Sequence, residues 1–524
     1  MKPKNYTPSN SSGGLLVILL ILSIVIPLCY SLYTNEIWED SLITFRYSKN
    51  LINGNGLVYN VGERVHGFTS PLGMFLLALC YLITNKTSEF YVFLLYRFIC
   101  FIAFTTSCFY LVSVFSDEDK RGLMPFLLGV LYIFDAKSIS FIVNGMETAF
   151  MLFFLAVYIF VIYKNFSGRW LLGGICWAGL MWTRPDGCVY IGALSIAHIF
   201  CSGLPKKENL IGHLKMALIC TALYLPWFVF AWSYFGSPIP QTILAKLHYP
   251  VFFPLPVKIR LLLDQVPGPI YYNSIQRSWP PWIEGFFLTA TIFAIFYWLL
   301  PLKDKFIKII SLSCFLVFLY YLFFMNMFFP WHFPPLKMMS SVVLIKGLFD
   351  LMRNRGKILA FVILMLFCCT SIYVFALSAT QRRIYQSEIE EGNRKLIGLW
   401  LKNNARMSDR VFLEPFGYIG YFSEVKIVDY PGLVSPEIVR LMDQDKDLTF
   451  YTLVPKVQPE WLVLRGHEVR ALLSQEYFKK DYSMVKIFNV KDRLRKYKDI
   501  SGIEAILFDA SFVIFKKTGN TQAK

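Results

Sequence analysis

Charge is scarce in this sequence. Only 17% of its 524 residues are Asp, Glu, Lys or Arg, against about a quarter in soluble globular domains, which excludes an ordinary soluble enzyme. The signatures of nucleotide and metal chemistry are missing as well: there is no Walker-type loop, no dinucleotide fingerprint, no HExxH and no CxxC. Cysteine is confined to the stretch from Cys29 to Cys369, mostly inside apolar runs, where it reads as a small core residue. The last 145 residues have none, so that region has no disulfide framework even if it faces an oxidising compartment.

What is abundant is apolar surface: 56% of the residues are hydrophobic, 17% aromatic, and the mean hydropathy is +0.49. The apolar residues come in runs of about 20, the length that crosses a hydrocarbon core of about 30 Å. Runs lie near 14–33, 71–84, 90–115, 123–142, 147–163, 170–183, 187–201, 215–235, 283–300, 308–328, 336–352 and 357–378. The run Pro71–Thr84 is too short to span comfortably and reads as a re-entrant or interface-lying helix, which leaves eleven spans. The expected architecture is therefore an α-helical polytopic membrane protein over 1–379 and a soluble α/β domain over 380–524. The first run is too long for a secretory h-region and no A-x-A site follows it, so it reads as an uncleaved span.

The net charge of +17 is basic, yet in the membrane part the cations sit in short loops between apolar runs. There they read as orientation signals rather than as a nucleic-acid surface. Asp119-Lys120-Arg121, Lys164 to Arg169, Lys206 to Lys215, Lys303 to Lys308 and Arg353 to Lys357 go inside, with Lys2 and Lys4. Segments 34–89, 144–147, 184–187, 236–282, 329–335 and the C-terminal domain then face outside, and polar chemistry concentrates there.

The first outer loop carries Glu39-Asp40, then Phe45-Arg46-Tyr47, Gly54-Asn55-Gly56 and Glu63-Arg64-Val65-His66-Gly67-Phe68-Thr69-Ser70-Pro71. Adjacent carboxylates after a membrane exit can accept a proton, hold a divalent cation, or cap a helix; Asp40 fits an N-cap of a helix from Ser41 to Leu51. Arg184, in Arg-Pro-Asp-Gly, can fork onto a phosphate or snorkel to headgroups from a plain turn. Glu147 complements a helix N-terminus or meets a sugar. His332 lies among aromatics suited to stacking on a sugar or to an interfacial belt. Arg97, some eight residues into a span, needs a partner or an aqueous cavity.

These strings resemble the GT-C glycosyltransferases, integral-membrane enzymes that take a sugar from a polyprenyl-phosphate carrier. The flavour is that of the branch with the mycobacterial terminal arabinofuranosyltransferases. The first-loop string carries most of the resemblance. Gly145-Met146-Glu147-Thr148, Thr183-Arg184-Pro185-Asp186-Gly187, Pro240-Gln241-Thr242 with Ala245-Lys246, Gly417 to Tyr421 and Asp429 to Leu433 add to it. Relatives usually begin the motif with Asp-Asp where this chain has Glu39, and an acid is common where it has His66.

The resemblance implies Asp40 as general base with Glu39 in support, and a Mg or Mn ion as a candidate guest of that pair. It implies Arg184, Lys246 and Arg46 at the donor phosphate, and His66, Glu147, Asp186, Gln241 and His332 at substrate. It further implies a polyprenyl-phosphate-linked sugar donor, a cell-envelope acceptor and membrane-lipid contact. The location implied is a bacterial inner membrane, with the N-terminus cytoplasmic and the C-terminal domain periplasmic.

In the tail, a polar amphipathic helix (Glu388–Lys402) leads to strand-like runs Val411–Glu414, Val425–Val428, Trp461–Leu464, Met484–Phe488 and Ala505–Phe515. Helical pieces fall at Pro436–Met442 and Glu468–Leu473. The alternatives to an enzyme are a transporter or flippase of a lipid-linked or small solute, and a scaffold for envelope assembly. A transporter would place ionisable residues near the midplane and repeat itself in two halves. Here most of them sit at the outer rim, and no repeat is visible.

Overall fold

The computed structural model describes residues 10–85, 88–115, 118–119, 122–164, 166–202, 207–247, 253–265, 281–325, 327–352, 356–500 and 503–518. The chain divides into two compact units. A membrane unit takes Met1–Tyr33, Phe93–Pro226 and Phe253–Thr380; a C-terminal unit takes Thr34–Val92, Trp227–Phe252 and Gln381–Lys524. One boundary between the units falls at Thr380/Gln381, and the C-terminal unit also takes in residues 34–92 and 227–252.

In chain order the helices begin with α1 (Asn10–Thr34), α2 (Glu39–Ile52), α3 (Pro71–Ile83), α4 (Glu89–Ser113), α5 (Leu123–Ile133) and α6 (Ala136–Val143). Then come α7 (Thr148–Tyr163), α8 (Arg169–Thr183), α9 (Gly187–Cys201), α10 (Lys207–Phe235), α11 (Gln241–Leu247) and α12 (Leu255–Gln265). The membrane unit closes with α13 (Pro281–Phe296), α14 (Lys305–Phe324), α15 (Pro334–Leu351) and α16 (Lys357–Ile384).

Six helical segments among the described residues are long and apolar enough to cross a bilayer, in the regions of α1, α4, α10, α13, α14 and α16. The pair α5 and α6, bent by 58°, makes a seventh if taken as one span. The four other expected spans are helical too, but α7, α8, α9 and α15 have only 15 to 18 residues. At 1.5 Å per residue they reach about 22–27 Å. Helix α3 is 13 residues and starts cleanly, with Ser70 Oγ accepting from the Gly73 amide at 3.0 Å and proline in the first turn. Arg97, buried in α4, donates to the Val143 carbonyl at 2.7 Å, at the C-terminal end of α6 where carbonyls lack helical partners.

The C-terminal unit is built on a five-stranded sheet: β1 (Arg410–Leu413), β2 (Lys426–Asp429), β3 (Trp461–Arg465), β4 (Tyr482–Asn489) and β5 (Ser511–Lys517), in the order β2-β1-β3-β5-β4. β1 pairs in parallel with β2 and β3; β5 pairs antiparallel with β3 and β4. Leu462 and Leu464 on β3 face the same way as Phe515 and Val513 on β5, into a core completed by Ile438, Leu453, Leu472 and Phe478 from helices on that face.

Three expectations need correction. Helix α2 starts at Glu39, not Ser41, with Trp38 rather than Asp40 at the N-cap, so both acids lie in the first turn. The polar helix expected from Glu388 continues α16 through a π-helical stretch, Tyr385–Arg394, into a helix from Lys395 to Asn404. Residues 503–509 are helical, and the last strand begins only at Ser511, because Ala510 donates back to Leu507 and closes the helical turn.

Candidate functional site

Six of the sequence candidates lie in the C-terminal unit. Glu39 and Asp40 open α2, where negative charge complements the helix N-terminus. Glu39 is held from two sides: Oε2 lies 2.7 Å from Arg394 Nη1, and Oε1 accepts from the Gly417 amide at 3.2 Å. Gly417 opens a short helix, Gly417–Ser423, and a Cβ there would collide with the Glu39 backbone, so glycine is what permits this approach. Asp40, the next residue, is half-exposed.

Arg394 also meets Glu390 at 2.8 Å and Asp509 at 2.9 Å. Asp509 in turn receives Arg465 Nε at 2.6 Å, and Arg465 reaches Glu414 and Glu468. The result is a buried lattice of five carboxylates on two guanidiniums. Burial dominates at Glu39 and, with Glu390, Glu414 and Asp40 nearby, holds its carboxyl well above the usual range despite Arg394. At Asp509 burial also pushes upward, but Arg394 and Arg465 together outweigh it and bring the pKa down to about 2.

Arg46 turns inward. Its guanidinium donates to the Gly420 and Val425 carbonyls at 2.6 and 2.8 Å and covers the Tyr59 ring. It clips α2 to the Gly417–Ser423 helix rather than standing as a surface cation. His66 is buried, stacked on Phe235 at 4.8 Å with Phe68 and Trp227 edge-on. Its ring nitrogens make no hydrogen bond of normal geometry, and burial lowers its pKa to about 4, so it is neutral. Gln241 begins α11, its amide donating to the His66 carbonyl at 2.7 Å, and its side chain lies 3.4 Å from the Gly432 carbonyl. Lys246, half-buried, lies in the last turn of α11. Asp429 accepts from the amides of Gly432, Leu433 and Val434, which fixes the turn that Gln241 touches.

The other four candidates lie in the membrane unit. Arg184, buried after α8, donates to Glu147 Oε1 at 2.9 Å and through Nε to Asp186 Oδ1 at 2.8 Å. Glu147 stands at the N-cap of α7 without capping it, because its carboxylate goes to Arg184 instead. Burial would raise the Asp186 pKa, but Arg184 and His332 outweigh it and hold it below the usual range. His332 is buried; its carbonyl accepts from both Tyr190 and Tyr321, at 2.9 and 3.0 Å. In the same unit, a cavity of about 60 Å³ is lined by the Asp135–Lys337 ion pair, Ser138, Thr291 and apolar walls including Phe287 and Phe367.

No group of three or more His, Cys, Asp or Glu among the described residues is arranged to hold a metal ion. With Glu39 committed to Arg394 and the Gly417 amide, the Glu39-Asp40 pair lacks the oxygen set that Mg or Mn requires. Sequence reasoning missed Arg394, Asp509 and Arg465. The only signal of Arg465 and Asp509 was charge inside segments otherwise strand-like, and Arg394, in a polar helix, gave none.

A family model described as a domain of unknown function (DUF8728) matches residues 381–506. The chain is 27% identical over 231 residues to the terminal beta-(1->2)-arabinofuranosyltransferase of Mycobacterium tuberculosis, covering 40% of this chain and 34% of the relative. It is 27% identical over 233 residues to the Corynebacterium glutamicum enzyme of the same name, covering 40% and 32%. The chain thus spans about a third of the length of these curated relatives. Among solved structures, ArnT from Cupriavidus metallidurans aligns over 98% of this chain and 100% of its own in the apo state, with TM-score 0.59 and 10% identity. The same protein bound to undecaprenyl phosphate gives TM-score 0.56 and 10% identity over 98% and 99%. The archaeal oligosaccharyltransferase AglB from Archaeoglobus fulgidus, in complex with an inhibitory peptide and a dolichol-phosphate, gives 0.55 at 11% identity over 92% and 73%.

Proposed function

We propose that this chain, which has the fold of the GT-C membrane glycosyltransferases, transfers a sugar from a polyprenyl-phosphate donor to a cell-envelope glycan, lipid or protein. The reaction takes place on the outer face of a bacterial inner membrane, with the N-terminus inside and the C-terminal unit outside. The observation that supports this reading is the acidic pair in the first turn of α2, where Glu39 is held by Arg394 and the Gly417 amide beside the half-exposed Asp40.

Asp40 takes the proton of the acceptor hydroxyl as its oxygen attacks the anomeric carbon. The sugar–phosphate bond breaks on the opposite side, so the configuration inverts and polyprenyl phosphate leaves with the bonding pair. The resemblance assigns the stabilising of that phosphate to Lys246, half-buried in the last turn of α11. The Glu147–Arg184–Asp186 cluster has two acids to one base, which suits sugar hydroxyls better than a phosphate. His332 beside it offers an aromatic face. Gln241 and His66 hold the α11 loop in place.

The test is release of free polyprenyl phosphate by the purified protein in nanodiscs, offered a panel of polyprenyl-phosphate sugars with envelope extract as acceptor. Turnover with one donor, absent in Asp40→Asn, supports the reading and names the sugar. The Asp135–Lys337 pair in a membrane-unit cavity favours a second reading, a transporter. Folded protein that moves a lipid-linked solute across the bilayer without cleaving it would establish that one instead.

A further inference from the structure

The edge of the C-terminal sheet has an unusual surface. β4 is the last strand in the order, paired only with β5, and every residue from Ser483 to Ile487 is exposed. Met484 and Ile487 pair with Phe515 and Val513 and share their face, but lie beyond the helices that cover it, 60% and 51% exposed. Lys486 points to the other face, opposite Ile514. Leu507 and Phe508 add further exposed apolar surface in the segment leading into β5.

Charge is concentrated in the same stretch. Residues 479–498 carry eight Lys and Arg against two Asp, a net +6, whereas the whole region 380–524 carries only +5. Acids compensate few of these cations: Arg493 and Lys496 share Glu388, and Arg495 meets Asp492. Lys479, Lys480, Lys486, Lys491 and Lys498 are exposed and have no acidic partner among the described residues.

We propose that this edge, β4 with the cationic segment 491–498, docks on the surface of an anionic lipid bilayer. Uncompensated cations attract anionic headgroups within about a Debye length, and exposed apolar side chains among them enter the headgroup–acyl boundary. A soluble polyanionic glycan would satisfy the lysines but leave Met484 and Ile487 in water. A partner strand would need a regular edge, and β4 breaks register between Met484 and Lys486. The inference stands independently of the sugar-transfer reading, since it concerns what covers this edge and not what reacts.

Hydrogen–deuterium exchange on the full chain tests it, in nanodiscs of phosphatidylglycerol and in nanodiscs of phosphatidylcholine. Exchange over 482–498 should slow several-fold in the anionic discs. That protection should vanish in 0.5 M NaCl and in the triple variant Lys486→Glu, Lys491→Glu, Lys498→Glu. Peptides covering β1 and β3 report whether the variant stays folded, and the salt arm needs no variant. Equal exchange in both lipids overturns the proposal. So does protection that needs an added anionic glycan, or that persists in detergent as association of two copies.

Discussion

The two arginine-centred clusters of this protein look alike and are built differently. In the membrane unit, Arg184 meets Asp186 two residues away and Glu147 across one helical hairpin. In the C-terminal unit, Arg394 gathers Glu39, Glu390 and Asp509, from three widely separated parts of the chain. The first cluster closes a turn between consecutive helices. The second ties the N-terminus of α2 to the sheet domain, so the placement of Asp40 depends on residues more than 350 positions away. A side chain in the first turn of a helix gains precision from such a distant anchor.

The contrast can be broken experimentally, and the largest effect is expected at Asp40. Removing a general base costs about 10²- to 10⁴-fold in turnover, so Asp40→Asn should lose that much in polyprenyl-phosphate release while the protein keeps its protease resistance. Next comes Arg394→Gln, which takes the guanidinium from the buried Glu390 and from Glu39 and leaves Asp509 with Arg465 alone. Breaking a buried ion pair costs about 3–5 kcal/mol, and the loss should appear as a lowered unfolding midpoint of the C-terminal unit. Arg184→Gln should leave that midpoint unchanged.

Acid provides a third, smaller probe. The Asp509 pKa is lowered to about 2, so its share of stability is complete above the unfolded carboxylate value of about 3.9 and is lost as pH falls toward 2. The shift corresponds to about 2 kcal/mol. Limited proteolysis from pH 5 down to pH 2 should show the C-terminal unit opening over that window, with Asp509→Asn removing this component of the pH dependence.

The smallest effect is at His66. Its pKa is lowered to about 4, so stability is full above the unfolded value of about 6.5 and declines as pH falls through the window to 4. His66→Phe should retain the aromatic packing, hold activity within a few-fold, and flatten that decline. A steep loss of donor affinity in His66→Phe at pH 7.5 would instead place the imidazole at substrate.

The helices of the membrane unit were legible because long apolar runs need no partner to be recognised. Their boundaries agree closely at Gly187–Cys201, for example. The Glu147–Arg184 pairing could be anticipated only as two neighbouring turns on one face. The Arg394 lattice was not legible: a buried guanidinium in a polar helix reads as a solvated charge until the sheet supplies Asp509. The inward contacts of Arg46 were not legible for the same reason, since its carbonyl partners, Gly420 and Val425, carry no sequence signal. The glycines at 417 and 420 stand out in the sequence as a motif, but their physical reason lies in the packing of Glu39 and Tyr59 against them.

The most direct test of the central claim compares single-turnover rates of Asp40→Asn and Glu39→Gln in nanodiscs loaded with the active donor. The account predicts that Asp40→Asn slows polyprenyl-phosphate release by about 10²- to 10⁴-fold at every pH. Glu39→Gln, whose one carbonyl oxygen can still accept from Arg394 or from Gly417, should keep measurable turnover. Full activity in Asp40→Asn, or complete loss in Glu39→Gln alone, would contradict it.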